Sequence, residues 1–244
     1  CRAALLPSSF SFFSFVPSAM ANYSKWSLSP SAFSALGRDI RQELYKKGFN
    51  ANSDPSIDPI AFQAYTEIAW QALQSRGLLN ETVFRSPTDL QAYLMAARTS
   101  ETNAVNIGPG APLSRSGDAT AWQINVLKGT HRDLGSPNIV NDPIEAIQAA
   151  VFSANSNMNG AQARLGRRAT RDQILATGAT DYNRGQNRRS VTPSPYGLIV
   201  ARNTNVFAEM IRRTGSVPSV GEIIAQHPRN LAYGGGATNL QRTI

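Results

Sequence analysis

Seven arginines, Arg164, Arg167, Arg168, Arg171, Arg184, Arg188 and Arg189, fall within one short stretch that has little apolar content. A guanidinium group is a planar fork of donors that fits phosphate oxygens, and its flat face stacks on bases. At this density the residue type points to polyanion binding, with single-stranded RNA as the expected partner. The spacing Arg164-x-x-Arg167-Arg168-x-x-Arg171 predicts one basic helical face. Tyr182-Asn183-Arg184-Gly185-Gln186-Asn187-Arg188-Arg189 reads as a polar loop. Its arginines would follow a phosphate chain while its Asn and Gln side chains contact bases or sugars. The competing reading is a solvated loop whose arginines satisfy helix C-termini and nearby acids. Only Asp172 and Asp181 lie close by in sequence, which leaves five of the seven charges without a local partner.

The charge distribution favours the first reading. Residues 1–160 carry twelve basic and twelve acidic side chains. Residues 161–244 carry twelve arginines and no lysine against Asp172, Asp181, Glu209 and Glu222, so they hold the whole net charge of +8. A hydrophobic content of 41% with 16% charged residues describes a globular chain whose weakly charged surfaces suit packing against other subunits.

Other chemistries are weakly represented. His131 and His227 stand in no metal-ligand spacing, and Cys1 is the only cysteine, so neither a disulfide framework nor a cysteine metal site is expected. The compartment reads as reducing. No nucleophile elbow, Walker loop or dinucleotide fingerprint occurs. Gly108-Pro109-Gly110 and Gly234-Gly235-Gly236 lack the strand and helix that a phosphate loop needs. Asp39 and Glu43 sit four apart among Arg38, Arg41, Lys46 and Lys47, which reads as surface ion pairing rather than paired acid–base catalysis. The expectation is a non-enzyme with no metal, cofactor or small-molecule substrate. No stretch is apolar for long enough to span a bilayer.

The elements that would position the arginines are helices. Residues 31–47 carry Phe33, Leu36, Ile40 and Leu44 on one face and end at Gly48. Asp58-Pro59 and Asp142-Pro143 each read as a cap followed by proline at the first helical position. The first of these helices ends at Gly77; the second presents Ile144, Ile147, Val151 and Ala154 inward. A fourth helix uses Ile199, Asn203, Val206, Phe207, Met210 and Ile211 and closes at Arg212-Arg213-Thr214-Gly215. Residues 88–98 read as a short helix, 121–127 as a strand, and 99–120 and 129–140 as loops. The expected fold is all-α: an antiparallel four-helix bundle with extended loops and flexible termini, occupying residues 21–225. Residues 226–244 read as a flexible tail. Residues 1–20 read as an extension upstream of Met20-Ala21-Asn22, with a leader peptide as the alternative.

Several motifs, taken in order, resemble the coat proteins of rod-shaped plant RNA viruses, tobacco mosaic virus and its relatives. They are Tyr23-Ser24 with Pro30-Ser31-x-Phe33, then Phe84-Arg85-Ser86-Pro87, and Asn138-x-Val140-x-Asp142-Pro143-Ile144 with Ala150 and Phe152. Arg188-Arg189 and Phe207-x-Glu209-x-Ile211-Arg212-x-Thr214-Gly215-Ser216 complete the series. The resemblance runs from about Tyr23 to Glu222, with gaps. It implies a bundle that polymerises helically around single-stranded viral RNA, in a virion assembled in host cytoplasm, with Arg188 and Arg189 on phosphate-contacting positions. The sequence departs from that pattern in three places. The 58–76 helix has no central arginine, Asn155-Ser156-Asn157 stands where the family carries arginines, and the segments after Arg98 and after Gly215 are longer. Two alternatives accompany this expectation: the coat protein or nucleoprotein of a flexible filamentous virus, and an imported organellar RNA-binding protein.

Overall fold

The computed structural model describes residues 26–102, 110–114, 116–184, 190–219 and 222. The expected upstream extension or leader, 1–20, and the expected tail, 226–244, lie outside the described residues. The rest is predominantly helical.

Four helices begin with proline at the first turn behind a side-chain cap, a position where the missing N–H costs nothing. Helix α1 (Pro30–Lys46) is capped by Ser29, whose hydroxyl accepts from the Ala32 amide, and α2 (Pro59–Ser75) by Asp58, which accepts from Ile60. Between these and the later pair lies α3 (Pro87–Thr102), longer than the 88–98 expectation; Thr99 stays in the helix with its hydroxyl on the Met95 carbonyl. The two-residue strands β1 (Asp118–Ala119) and β2 (Ile124–Asn125) pair antiparallel. The strand expected over 121–127 shrinks to β2 because the turn between the strands places Thr120 and Gln123 at φ 71° and 50°. A single turn, α4 (Thr130–Asp133), lies inside the expected 129–140 loop. Helix α5 (Pro143–Leu165) is capped by Asp142, and α6 (Arg171–Arg184) follows it. Helix α7 (Pro195–Thr214) is capped by Ser194 and closed by left-handed Gly215.

The packing runs α1 on α2, α2 on α3, α3 on α7, α7 on α6 and α6 on α5; α5 also touches α1 and α3. This puts α5 at the centre. From Ile144 to Met158 nearly every side chain on it is buried, polar ones included. Phe152 stacks on Phe33 of α1 with ring centroids 4.8 Å apart. Trp122, carried in by the β-hairpin, is fully buried and donates from Nε1 to the Leu94 carbonyl at 3.0 Å.

The buried polar residues of α5 find their partners in the loop that follows α2 and within the fold. Asn155 accepts from the Asn80 amide at 2.8 Å and donates to the Leu78 carbonyl at 2.9 Å. One turn on, Asn159 also donates to Leu78 and accepts from the Asn80 side chain; Gln162 accepts from Asn80 and donates to Thr82. Ser156 bonds Ser27 and Asn157 bonds Ser153. Asn155-Ser156-Asn157 is thus turned into the fold, where Asn155 satisfies backbone groups of the loop that follows α2.

Helices α6 and α7 cross closely at Gly197. A Cβ there would lie 2.2 Å from both the Ala176 carbonyl and the Thr180 hydroxyl. Gly197→Ala should therefore push α7 off α6 and cost about 1–3 kcal/mol, as overpacking does. Urea unfolding should show this as a lower midpoint; an unchanged midpoint would mean the crossing is looser than described.

Candidate nucleic-acid interface

The arginine window does not form one helical face. Helix α5 stops at Leu165 because Gly166 adopts φ 84°, ψ 174°, a conformation open to glycine. A new helix then starts at Arg171 behind a reciprocal cap. The Thr170 amide donates to Gln173 Oε1 at 2.8 Å, and the Gln173 amide donates to Thr170 Oγ1 at 3.3 Å. Arg164 therefore lies on α5, Arg167 and Arg168 on the turn, and Arg171 at the first position of α6.

Two of these side chains face inward. Arg164 Nη2 bonds the Asp181 carboxylate on α6 and ties the two helices together across their turn; only 3% of the Asp181 side chain is exposed. Arg171 donates to Asp89 Oδ1 at 3.2 Å, Asn205 Oδ1 at 2.7 Å and the Val83 carbonyl at 3.3 Å. Asp89 is buried at the first turn of α3, where it also accepts from the Ser86 amide and hydroxyl, and Arg212 of α7 approaches it at 3.5 Å. One carboxylate thus joins the starts of α3 and α6 to the end of α7. Sequence reasoning missed this node, although Ser86-x-x-Asp89 is a helix-start signature. Arg213, read as a helix-terminal residue, pairs with Glu209 at 2.8 Å.

The others are placed differently. Arg167 and Arg168 are exposed and make no hydrogen bond or ion pair among the described residues. Arg184 is the last residue of α6, 14 residues from its start. At about 1.5 Å per residue, that sets it about 20 Å from the 166–170 turn. Arg188 and Arg189 lie outside the described residues. Helix α6 therefore divides the window into a pair of free arginines at its start and a second group beginning at its end.

At that second end, three helices meet on one acid. Glu101, near the end of α3, faces Tyr196 at the start of α7 and Asn183 in the last turn of α6. Burial raises its carboxyl above the usual carboxylate range; the bonds from Tyr196 and Asn183 pull it back, and Asp118 pushes it further up. Tyr182, beside Asn183, donates its hydroxyl to the Trp122 carbonyl. The residues on both sides of 185–189 are thus anchored to α3 and to the β-hairpin.

The remaining candidates are structural. Asp39 pairs with Arg76 at 2.7 Å and Glu43 with Lys46 at 2.6 Å, so the two carboxylates are used separately. His131, which stands in no metal-ligand spacing, is buried at 4% exposure beside the β-hairpin. His227 lies outside the described residues. Among the described residues, no group of three His, Cys, Asp or Glu side chains could hold a metal ion, and no helix is long and apolar enough to cross a membrane. Comparison with protein-family models, with curated proteins and with solved structures finds no match for this chain.

A buried carboxyl with a raised pKa is a cost at neutral pH. The folded state holds the proton more tightly than the unfolded chain, so stability falls as pH rises from the unfolded value through the folded one. Glu101→Gln keeps the size and shape of the side chain and one acceptor oxygen, and removes the charge. It should raise stability at pH 7 and flatten the decline in stability above the ordinary carboxylate range. Urea titrations at a series of pH values test this, and an unchanged pH slope would show that the Glu101 charge carries no such cost.

Proposed function

We propose that this chain is a structural coat subunit that polymerises helically around single-stranded viral RNA and grips its phosphates through arginine. The observation that carries this reading is the division of labour among the arginines. Arg164 and Arg171 are held by Asp181 and Asp89 and frame the turn between them, while Arg167 and Arg168 project from it without a partner among the described residues. Free, exposed guanidinium groups on a fixed turn suit sequence-independent phosphate contact. Arg184, Arg188 and Arg189 join them on sequence grounds and on the family resemblance. The subunit acts in a virion and assembles in host cytoplasm.

The architecture proposed with this function is an antiparallel four-helix bundle of α3, α5, α6 and α7, with the α1–α2 pair packed beside it. The contacts α3–α7, α7–α6, α6–α5 and α5–α3 close a ring. Within it, Glu101 meets Tyr196 at one end and Asp89 meets Arg212 at the other, as opposed helices require. This set differs from the one expected from sequence, in which the 31–47 and 58–76 helices were bundle members and α6 was absent. The weakly charged body, with 16% charged residues, supports close subunit packing.

Electron microscopy of the protein mixed with single-stranded RNA tests the assembly. Rigid rods of uniform width are expected. Flexuous filaments would point to the other viral class, and a monodisperse monomer at every pH and salt concentration would contradict the proposal. Arg188→Ala combined with Arg189→Ala should abolish RNA-containing particles while leaving the far-ultraviolet circular dichroism spectrum unchanged. RNA affinity should fall with salt by about 0.7 log units per log unit of salt for each phosphate contacted.

A further inference from the structure

Each of the chain's 16 carboxylates has a hydrogen bond or ion pair within the chain. The exposed arginines at one end of the fold have none. Arg167 and Arg168 stand on the 166–170 turn, and Arg85 is exposed in the loop that precedes α3. These segments are far apart in sequence, but Arg171 brings them together by bonding the Val83 carbonyl from the start of α6.

The loop that carries Arg85 is fixed in place. Val83 and Phe84 are fully buried, the Val83 amide donates to the Asn80 side chain, and Trp70 donates to the Phe84 carbonyl at 2.9 Å. Asn80 is itself held by Asn155 and Asn159 of α5. Arg85 is therefore presented from a rigid base, beside an acid, Asp89, already saturated by Ser86, Arg171 and Arg212. These cations have no carboxylate partner among the described residues and stand in water with their donors open to an anionic ligand.

We propose that Arg85, Arg167 and Arg168 form one binding surface for the phosphate backbone of a single-stranded nucleic acid. This surface is separate from the one that begins at Arg184, about 20 Å away along α6. Each subunit then holds the strand at two places, and Arg85 is an RNA contact that the arginine-rich stretch does not include. A second copy of this chain is the poorer occupant, because its carboxylates are likewise engaged. The inference rests on the RNA-binding reading and adds a location to it.

Fluorescence anisotropy with labelled poly(U), titrated at several salt concentrations, tests the surface in the full chain. Arg85→Ala should reduce the salt slope by about 0.7, and the triple change with Arg167→Ala and Arg168→Ala by about 2. Arg85→Lys should recover most of the slope, since it keeps the charge. Circular dichroism should be unchanged throughout, because none of the three side chains holds the fold together. If Arg188→Ala with Arg189→Ala weakens poly(U) binding while the triple variant binds like wild type, the RNA reading stands and this surface is overturned. If wild type does not bind poly(U), both are overturned. If the triple variant binds poly(U) normally but sediments as a smaller species, the surface is a subunit contact and the proposal fails.

Discussion

Enclosure of α5 on every side is the constraint on which the rest of the fold depends. A buried helix can carry polar side chains only where each finds a partner, because an unsatisfied buried group costs about 1–3 kcal/mol. The lower half of α5 meets that demand with apolar residues, Ile144, Ile147, Val151 and Phe152. Its upper half meets it with Asn155, Asn159 and Gln162, one helical turn apart, which fasten the loop after α2. That loop leads directly into α3, so the position of α3, and of the arginine and acid at its start, follows from amides on a different helix.

The same economy of partners sorts the positive charge. Arginines next to a buried or half-buried acid become struts: Arg164 to Asp181 across the α5–α6 turn, Arg171 and Arg212 to Asp89, and Arg41 to the Asp142 cap of α5 at 2.7 Å. Losing one partner of such a pair leaves the other charge buried and uncompensated, so these arginines are tied to stability. Those beyond the reach of an acid stay in water with their full fork of donors. Function, on the proposed reading, belongs to the members of this second set on the 80–86 loop and the 166–170 turn, with those from Arg184 to Arg189. The buried set matters to RNA only by holding the turn and the loop in place.

Much of the helical map was legible because capping is local chemistry. Asp58-Pro59 and Asp142-Pro143 start helices where they were expected to, and Gly77 and Gly215 follow helix ends at φ 64° and 69°. Helix α6 was not legible from hydrophobic pattern, since Arg171, Asp172, Gln173, Asp181 and Asn183 dilute it. Its buried face relies on small residues, Ala176, Gly178 and Ala179, alongside Ile174 and Leu175. Thr170-x-x-Gln173 was the local signal that could have revealed it. The basic helical face read from Arg164 to Arg171 failed for a related reason: the spacing was right, but Gly166 breaks the helix beneath it. No local signal could have placed the loop of Arg85 near the start of α6, because that contact is made by Arg171 reaching the Val83 carbonyl across the fold.

The central claim is that the exposed arginines of the 80–86 loop, the 166–170 turn and the Arg184–Arg189 segment, and not those locked within the fold, meet RNA. Photo-crosslinking of the assembled protein to 4-thiouridine RNA, followed by peptide mapping, reads this directly. The account predicts crosslinked peptides from three places: the 80–86 loop, the 166–170 turn and the segment from Arg184 to Arg189. Crosslinks confined to other surfaces, such as the outer face of α1 or α2, would contradict it.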